Sequence, residues 1–280
     1  MSFFFIQLAD PQFGMYAELS GLDDATFERH AAKGHKIARV PKTTGFAYET
    51  ERYERAIAAL NRLAPAFVVT CGDMCNDVED PTAELAELRR ITAILDPNIP
   101  MHWVAGNHDV MNEPTAESLR RYRERFGDDV YSFDHGGSHF VVLNTTVPHE
   151  PAKVWDEWEQ QVEFLEADLR RARDNTSGHI VVFAHHPPFV TDVDEDDSWL
   201  VIPRQRRRLL VDLFKAHEVA AVFAGHWHRN HLSNYGDLQL VTSGRWATRW
   251  ATTRQACVSS RSIMMLSSTS TTRSTRSRRQ

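Results

Sequence analysis

No run of about 18 consecutive apolar residues occurs in this 280-residue chain, so a transmembrane helix is not expected. Cysteine is scarce: Cys71, Cys75 and Cys257 are odd in number and stand at no disulfide-framework spacing. Ahead of the apolar Phe3-Phe4-Phe5-Ile6 there is neither a basic leader nor a small-residue cleavage site. A secreted disulfide scaffold is thereby excluded, and a reducing, cytoplasmic setting is expected. Internal repeats are missing as well, which excludes a solenoid.

Acidic residues are missing from the end of the chain. All 38 precede Arg245, whereas the last 36 residues hold eight arginines, no lysine and no acid. Residues 1–244 therefore carry a formal net charge of −14 and residues 245–280 one of +8. A solvated basic tail is one explanation. Frame-shifted translation is the other: under GC-rich codons, a reading frame one base earlier turns the segment into an acidic, patterned sequence with a turn, a strand and a polar end. We expect a functional domain over 1–244 and an aberrant, poorly ordered Ser/Thr/Arg-rich tail over 245–280, with the last strands lost or altered. A body at −14 argues against a nucleic-acid partner, and no membrane partner is expected.

What is present is an alternation of element types. Short apolar runs at Phe3–Leu8, Phe67–Cys71, Met101–Ala105, Phe140–Leu143, Ile180–Ala184, Ala220–Ala224 and Leu238–Thr242 read as buried strands. Between them Glu51–Leu63, Ala83–Leu95, Glu117–Phe126, Trp155–Arg173 and Pro203–His217 carry apolar residues at helical spacing. The pattern predicts an α/β fold. Gly136-Gly137 predicts a hairpin, hence mixed sheets. Met15 to Tyr48 lacks periodicity and is expected to form a loop or short helices near a site mouth.

The chemistry lies where strands end. Asp10-Pro11-Gln12, Gly72-Asp73, Gly106-Asn107-His108-Asp109, His185-His186 and Gly225-His226-Trp227-His228 each follow an apolar run. Carboxylate, amide oxygen and imidazole are the hard or borderline donors that divalent metals select. Each motif alone is a common turn; together, in this order, they are specific. They resemble the calcineurin-like metallophosphoesterase superfamily, whose pattern is D-x-H, G-D, G-N-H-D/E, H and G-H-x-H. Ala9-Asp10-Pro11-Gln12-Phe13-Gly14 is similar to its calcineurin-like phosphoesterase domain-containing branch of Ser/Thr protein phosphatase type. The resemblance spans roughly residues 3 to 244, and Gln12 departs from the superfamily's usual His.

The resemblance implies a four-layer α/β/β/α sandwich with two mixed sheets, holding two divalent ions (Mn, Fe, Zn or Mg). Asp10, Gln12, Asp73 and His228 would hold one ion. Asp73, Asn107, His185 and His226 would hold the other, with Asp73 shared. It further implies hydrolysis of a phosphate monoester, including phospho-Ser/Thr in proteins, by a metal-bound hydroxide. His108 would act on the leaving group, and Asp109 would orient His108 through a hydrogen bond. A phosphodiesterase or nucleotide hydrolase on the same ligands, or an inactive metal-binding fragment, are the alternatives. His186 reads as a packing residue or one that supports the ligands from behind, the acidic run Asp192–Asp197 as an exposed loop, and His102, His139, His149, His217 and His231 as structural.

Overall fold

The computed structural model describes residues 3–32, 37–77, 79–244 and the backbone of Ile263–Leu266. In chain order the elements are β1 (Phe3–Leu8), α1 (Met15–Glu18), α2 (Asp24–Ala32), α3 (Ala47–Leu63), β2 (Val68–Cys71), α4 (Thr82–Thr92) and β3 (Met101–Val104). Then come α5 (Asn107–Val110), α6 (Ala116–Phe126), β4 (Tyr131–His135), β5 (Ser138–Val142), α7 (Thr146–His149) and α8 (Trp155–Asn175). The chain continues through β6 (Ile180–Phe183), α9 (Arg204–Ala216), β7 (Val219–Ala224), β8 (His231–Tyr235), β9 (Leu238–Thr242) and β10 (Ile263–Leu266).

Two sheets result, ordered β10-β1-β2-β3 and β4-β5-β6-β7-β9-β8. In the first, β1, β2 and β3 run parallel and β10 pairs antiparallel with β1. In the second, β5, β6, β7 and β9 are parallel, flanked by antiparallel β4 and β8. The predicted mixed α/β architecture is therefore present, including the hairpin at Gly136-Gly137, where both residues have positive φ (59° and 81°) as a tight two-residue turn demands. β8, α5 and α7 were not anticipated. The polar β8 alternates with no apolar period, and α5 and α7 are single turns of four residues, too short for periodicity to register. From the tail, Ile263–Leu266 fills the edge beside β1; the rest of the expectation for 245–280 lies outside the described residues.

Alternation along the strands sorts the core into layers. Phe5, Phe67, Val69, Phe140, Val142, Phe183 and Phe223 form one buried cluster contributed by both sheets. Phe5 stacks on Phe67 at 5.1 Å and meets Phe140, Phe183 and Phe223 edge-on at 5.3–5.8 Å. Their neighbours on the strands, such as Ile6, Val68, Val141 and Val182, pack instead with helix residues Tyr53, Ile57, Leu60, Leu165 and Leu169. In α3 the buried positions Tyr53, Ala56, Ile57 and Leu60 follow the spacing of one helix face. Thr115 caps α6 by accepting from the Ser118 N–H, while Ser118 Oγ accepts from the Thr115 N–H.

His139 on β5 ties the second sheet to α8. Its Nδ1 meets Asp134 Oδ1 at 2.6 Å and its Nε2 meets Asp168 Oδ2 at 2.8 Å, so both ring nitrogens face carboxylates. Burial would lower its pKa, but the hydrogen bonds to Asp168 and Asp134 outweigh burial and raise it. The stability this imidazolium contributes is full below the unfolded value of about 6.5 and is lost as pH rises through the higher folded value. His139→Gln should flatten the decline in urea midpoint as pH rises above about 6.5; an unchanged pH profile would exclude a charged His139.

Candidate metal centre

The motifs converge because the parallel strands of both sheets end on one edge. Asp10 and Gln12 follow β1, Asp73 follows β2, Asn107 and His108 follow β3, His185 follows β6, and His226 and His228 follow β7. Such carboxyl ends are where open α/β sheets place ligand sites. Backbone and side-chain bonds between the sheets close the edge. Gln7 Nε2 donates to the Ala224 carbonyl at 2.9 Å, and the His226 N–H donates to Asp10 Oδ1 at 3.1 Å. Approach is close enough to require glycine: a Cβ on Gly106 would lie 2.3 Å from Asp73 Oδ1, and one on Gly225 2.5 Å from the Cys71 carbonyl.

Two overlapping ligand groups emerge. Asp73, His185 and His226 bring one donor atom each within 4.8 Å of one another, and so do Asp10, Asp73 and His228. Asp73 is common to both. Asp10 and Asp73 are 0% and 2% exposed, and Asp10 Oδ2 has no hydrogen-bond partner. A buried carboxylate oxygen left in this state is costly unless a cation meets it. Burial raises the Asp73 carboxyl, but the charges of His185 and His108 overcome it and hold the group well below its ordinary range. Burial opposes protonation of His185 too, yet Asp73 and Asp10 lift its pKa to about 9. A field that favours a proton this strongly also favours a metal cation. The residues therefore fit a pair of divalent ions.

Carbonyl partners fix which ring nitrogens face the centre. His185 Nδ1 donates to the Cys71 carbonyl at 2.9 Å, leaving Nε2 toward Asp73 at 3.4 Å and Asn107 Oδ1 at 3.0 Å. His226 Nε2 donates to the Trp199 carbonyl at 3.0 Å, which turns its Nδ1 toward His185 at 3.2 Å. Burial and the nearby His185 charge push the His226 pKa well down, keeping it neutral. His228 Nε2 stands 3.5 Å from Asp10 Oδ1. Asn107 Nδ2 donates to Asn112 Oδ1 at 3.0 Å, so its oxygen faces inward. Gln12 is buried, its N–H bonded to the Asp73 carbonyl at 2.8 Å and its amide to Asn76 Oδ1 at 3.4 Å.

One expectation is corrected. Asp109 does not hydrogen-bond His108. It accepts from the backbone N–H groups of Gly106 and Asp73, both at 2.8 Å, and of Met74 at 3.0 Å, bracing the two motif turns against each other. Burial, with the Asp73 charge adding, pushes its pKa up to about 7. His108 Nδ1 is instead held by the Asn76 carbonyl at 2.8 Å, and its N–H donates to Asp73 Oδ1 at 2.9 Å. Asn76 and the carbonyls of Cys71 and Trp199 were invisible in the sequence, because a carbonyl acceptor belongs to every residue. Thr145, whose Oγ1 accepts from the His185 and His186 N–H groups, carries no motif either. His186 packs face-on to His149 at 4.5 Å, as a core histidine would.

A calcineurin-like phosphoesterase family model matches residues 6–230. The chain belongs to the calcineurin-like phosphoesterase family. Serine/threonine-protein phosphatase CPPED1 of Homo sapiens is 34% identical over 249 residues, covering 86% of this chain and 74% of the relative. The Rattus norvegicus protein of the same name is 33% identical over 248 residues with the same coverage. In fold, this phosphoesterase is similar to a dimetal phosphatase of Danio rerio, with TM-score 0.61, 18% identity and 88% of each chain covered. The phosphoesterase is thus a phosphatase-type hydrolase from a family that uses dinuclear metal centres. Among its described residues no helix is long and apolar enough to cross a membrane.

Because both groups share Asp73, Asp73→Asn should remove both ions, whereas Asp10→Asn should remove one. Metal analysis after Mn²⁺ loading should read about zero and about one ion per chain, against about two in the unmodified protein. Two ions retained by Asp73→Asn would refute the shared ligand.

Proposed function

We propose that this phosphoesterase hydrolyses phosphate monoesters, with phosphoserine and phosphothreonine in proteins as the substrate class. The observation that carries it is the single carboxylate, Asp73, common to two ligand groups at the end of two sheets. Asp10, Gln12, Asp73 and His228 would hold one divalent ion, and Asp73, Asn107, His185 and His226 the other. Such a pair would supply an activated water and charge to neutralise the phosphoryl oxygens. The step to a protein substrate follows the similarity to phosphatases named for Ser/Thr proteins.

His108 is the residue for the leaving group. With Nδ1 engaged by the Asn76 carbonyl, its Nε2 is the nitrogen available to hand a proton to the departing alkoxide. The N–H bond to Asp73 Oδ1 fixes the distance between this imidazole and the ligand cluster. Asp109 acts one step back, as a brace of the turns that carry Asp73 and His108. All of these residues lie between 10 and 228, inside the functional domain expected over 1–244. The unpaired, buried thiols of Cys71 and Cys75 suit a reducing compartment such as the cytoplasm.

The test is turnover of p-nitrophenyl phosphate, its bis-ester and a phosphoserine peptide across Mn²⁺, Mg²⁺ and Zn²⁺. Hydrolysis of the monoester and peptide with the bis-ester spared is expected; the reverse preference would identify a diesterase. His108→Ala should keep both ions and lower kcat on the peptide by about a hundredfold or more. The loss on p-nitrophenyl phosphate, whose leaving group needs little protonation, should be smaller. Equal losses on the two esters would remove His108 from the proton-donor role.

A further inference from the structure

The acidic run Asp192–Asp197 belongs to a strap, residues 187–203, that crosses from β6 to α9 and reaches the metal centre. The Ile202 N–H donates to the Pro187 carbonyl at 3.2 Å and closes its base. Its own Phe189, Val190, Val193, Val201 and Ile202 are buried. Its principal anchor is Arg207 of α9, fully buried, which donates to the carbonyls of Glu195 (2.7 Å), Val193 (2.9 Å) and Ile202 (3.0 Å) and meets Asp197 at 3.4 Å. Glu195 adds a second anchor by accepting from the N–H groups of Val190 at 2.6 Å and Thr191 at 3.1 Å. Asp194 pairs with Arg208 and Asp196 with Arg204, so the strap's acids are offset by cations of α9. It is a cross-braced element in which three of the five acids are paired with arginines of α9.

Trp199 stands on this strap where it touches the ligand cluster. Its carbonyl holds His226, and its indole lies edge-on to the His226 ring, 5.4 Å between centroids at 76°. The side chain is 52% exposed. A lone exposed aromatic needs no explanation by itself. One set edge-on against a candidate metal ligand, on a strap anchored by Arg207, presents an apolar face beside the ligand cluster, where it could meet whatever flanks a bound phosphate. We propose that Trp199 is a specificity-determining residue of this phosphoesterase: its indole binds a bulky apolar side chain adjacent to the phosphorylated residue of a peptide substrate. This rests on the phosphopeptide reading above and names what that substrate carries beside its phosphate.

The test uses the full chain loaded with Mn²⁺ and two phosphoserine peptides that differ only in having Phe or Gly next to the phosphoserine. The unmodified protein should prefer the Phe peptide by about fivefold to tenfold in kcat/KM, expressed in KM, as an aromatic pair contributes. Trp199→Ala should reduce the preference to about twofold or less, and Trp199→Phe should retain most of it. Metal content should stay at that of the unmodified protein in both variants, since Trp199 reaches His226 through its backbone carbonyl. Equal use of the two peptides by the unmodified protein, a preference surviving in Trp199→Ala, or loss of an ion in that variant would overturn the inference while leaving the phosphatase reading intact. Turnover of p-nitrophenyl phosphate with neither peptide hydrolysed would instead bring down the phosphopeptide reading, and the inference with it.

Discussion

Two carboxylates, Asp10 and Asp73, are buried at one end of the interface between two sheets, and the surrounding structure answers to that constraint. Removing such charges from water costs several kcal/mol apiece unless opposite charge compensates them. Three imidazoles, His185, His226 and His228, stand within 4 Å or in the shared ligand groups, and backbone N–H groups of His108 and His226 point at the carboxylates. The second coordination layer is made largely of main chain. Carbonyls of Cys71, Asn76 and Trp199 orient His185, His108 and His226 respectively, which sets the tautomer of each without adding further charge.

Backbone strain is concentrated at the same place. Among the described residues eight non-glycines have positive φ, and five of them are Asp10, Gln12, Asp73, His226 and His228. Left-handed backbone in such residues costs of order 1–3 kcal/mol each. It is held by bonds on both sides: the Asp10 N–H to the Gly72 carbonyl at 3.1 Å, the Gln12 N–H to the Asp73 carbonyl at 2.8 Å, and Asp109 across the turns at Gly72 and Gly106. The conformation turns each side chain out of its strand direction and into the crevice between the sheets. Strain here is the means by which five candidate ligands, from the turns that follow three strands, face one point.

The site is also braced from outside by two segments that carry no ligand. Glu84 of α4 accepts from the N–H groups of Asn76 at 2.7 Å and Asp77 at 3.0 Å, and burial pushes its carboxyl up to about 7. It thereby fixes the carbonyl that holds His108. Arg207 performs the corresponding service for the strap that carries Trp199. One brace serves His108 and the other the strap beside His226, so positioning on both sides of the cluster depends on residues in helices rather than in the motifs.

Most element types, the mixed sheets and the ligand candidates were legible in the sequence, whereas β8, α5 and α7 were not. Apolar strand runs and helical spacing are local signals, and Asp10, Asp73, His185, His226 and His228 each follow a strand at a glycine or short turn that the chain displays openly. It could not determine the partners of those ligands. The resemblance implies a bond from Asp109 to His108, yet the Asp109 carboxylate closes on backbone N–H groups contributed by two turns. Trp199 and Asn76 enter through carbonyls, and Arg207 through three carbonyl acceptors, none of which leaves a mark in residue type. These partners follow from the folded arrangement, because a hydrogen bond to main chain depends on where two segments meet: residues 73 and 185 meet when the two sheets pack, and residues 199 and 226 when the strap after β6 crosses the end of β7.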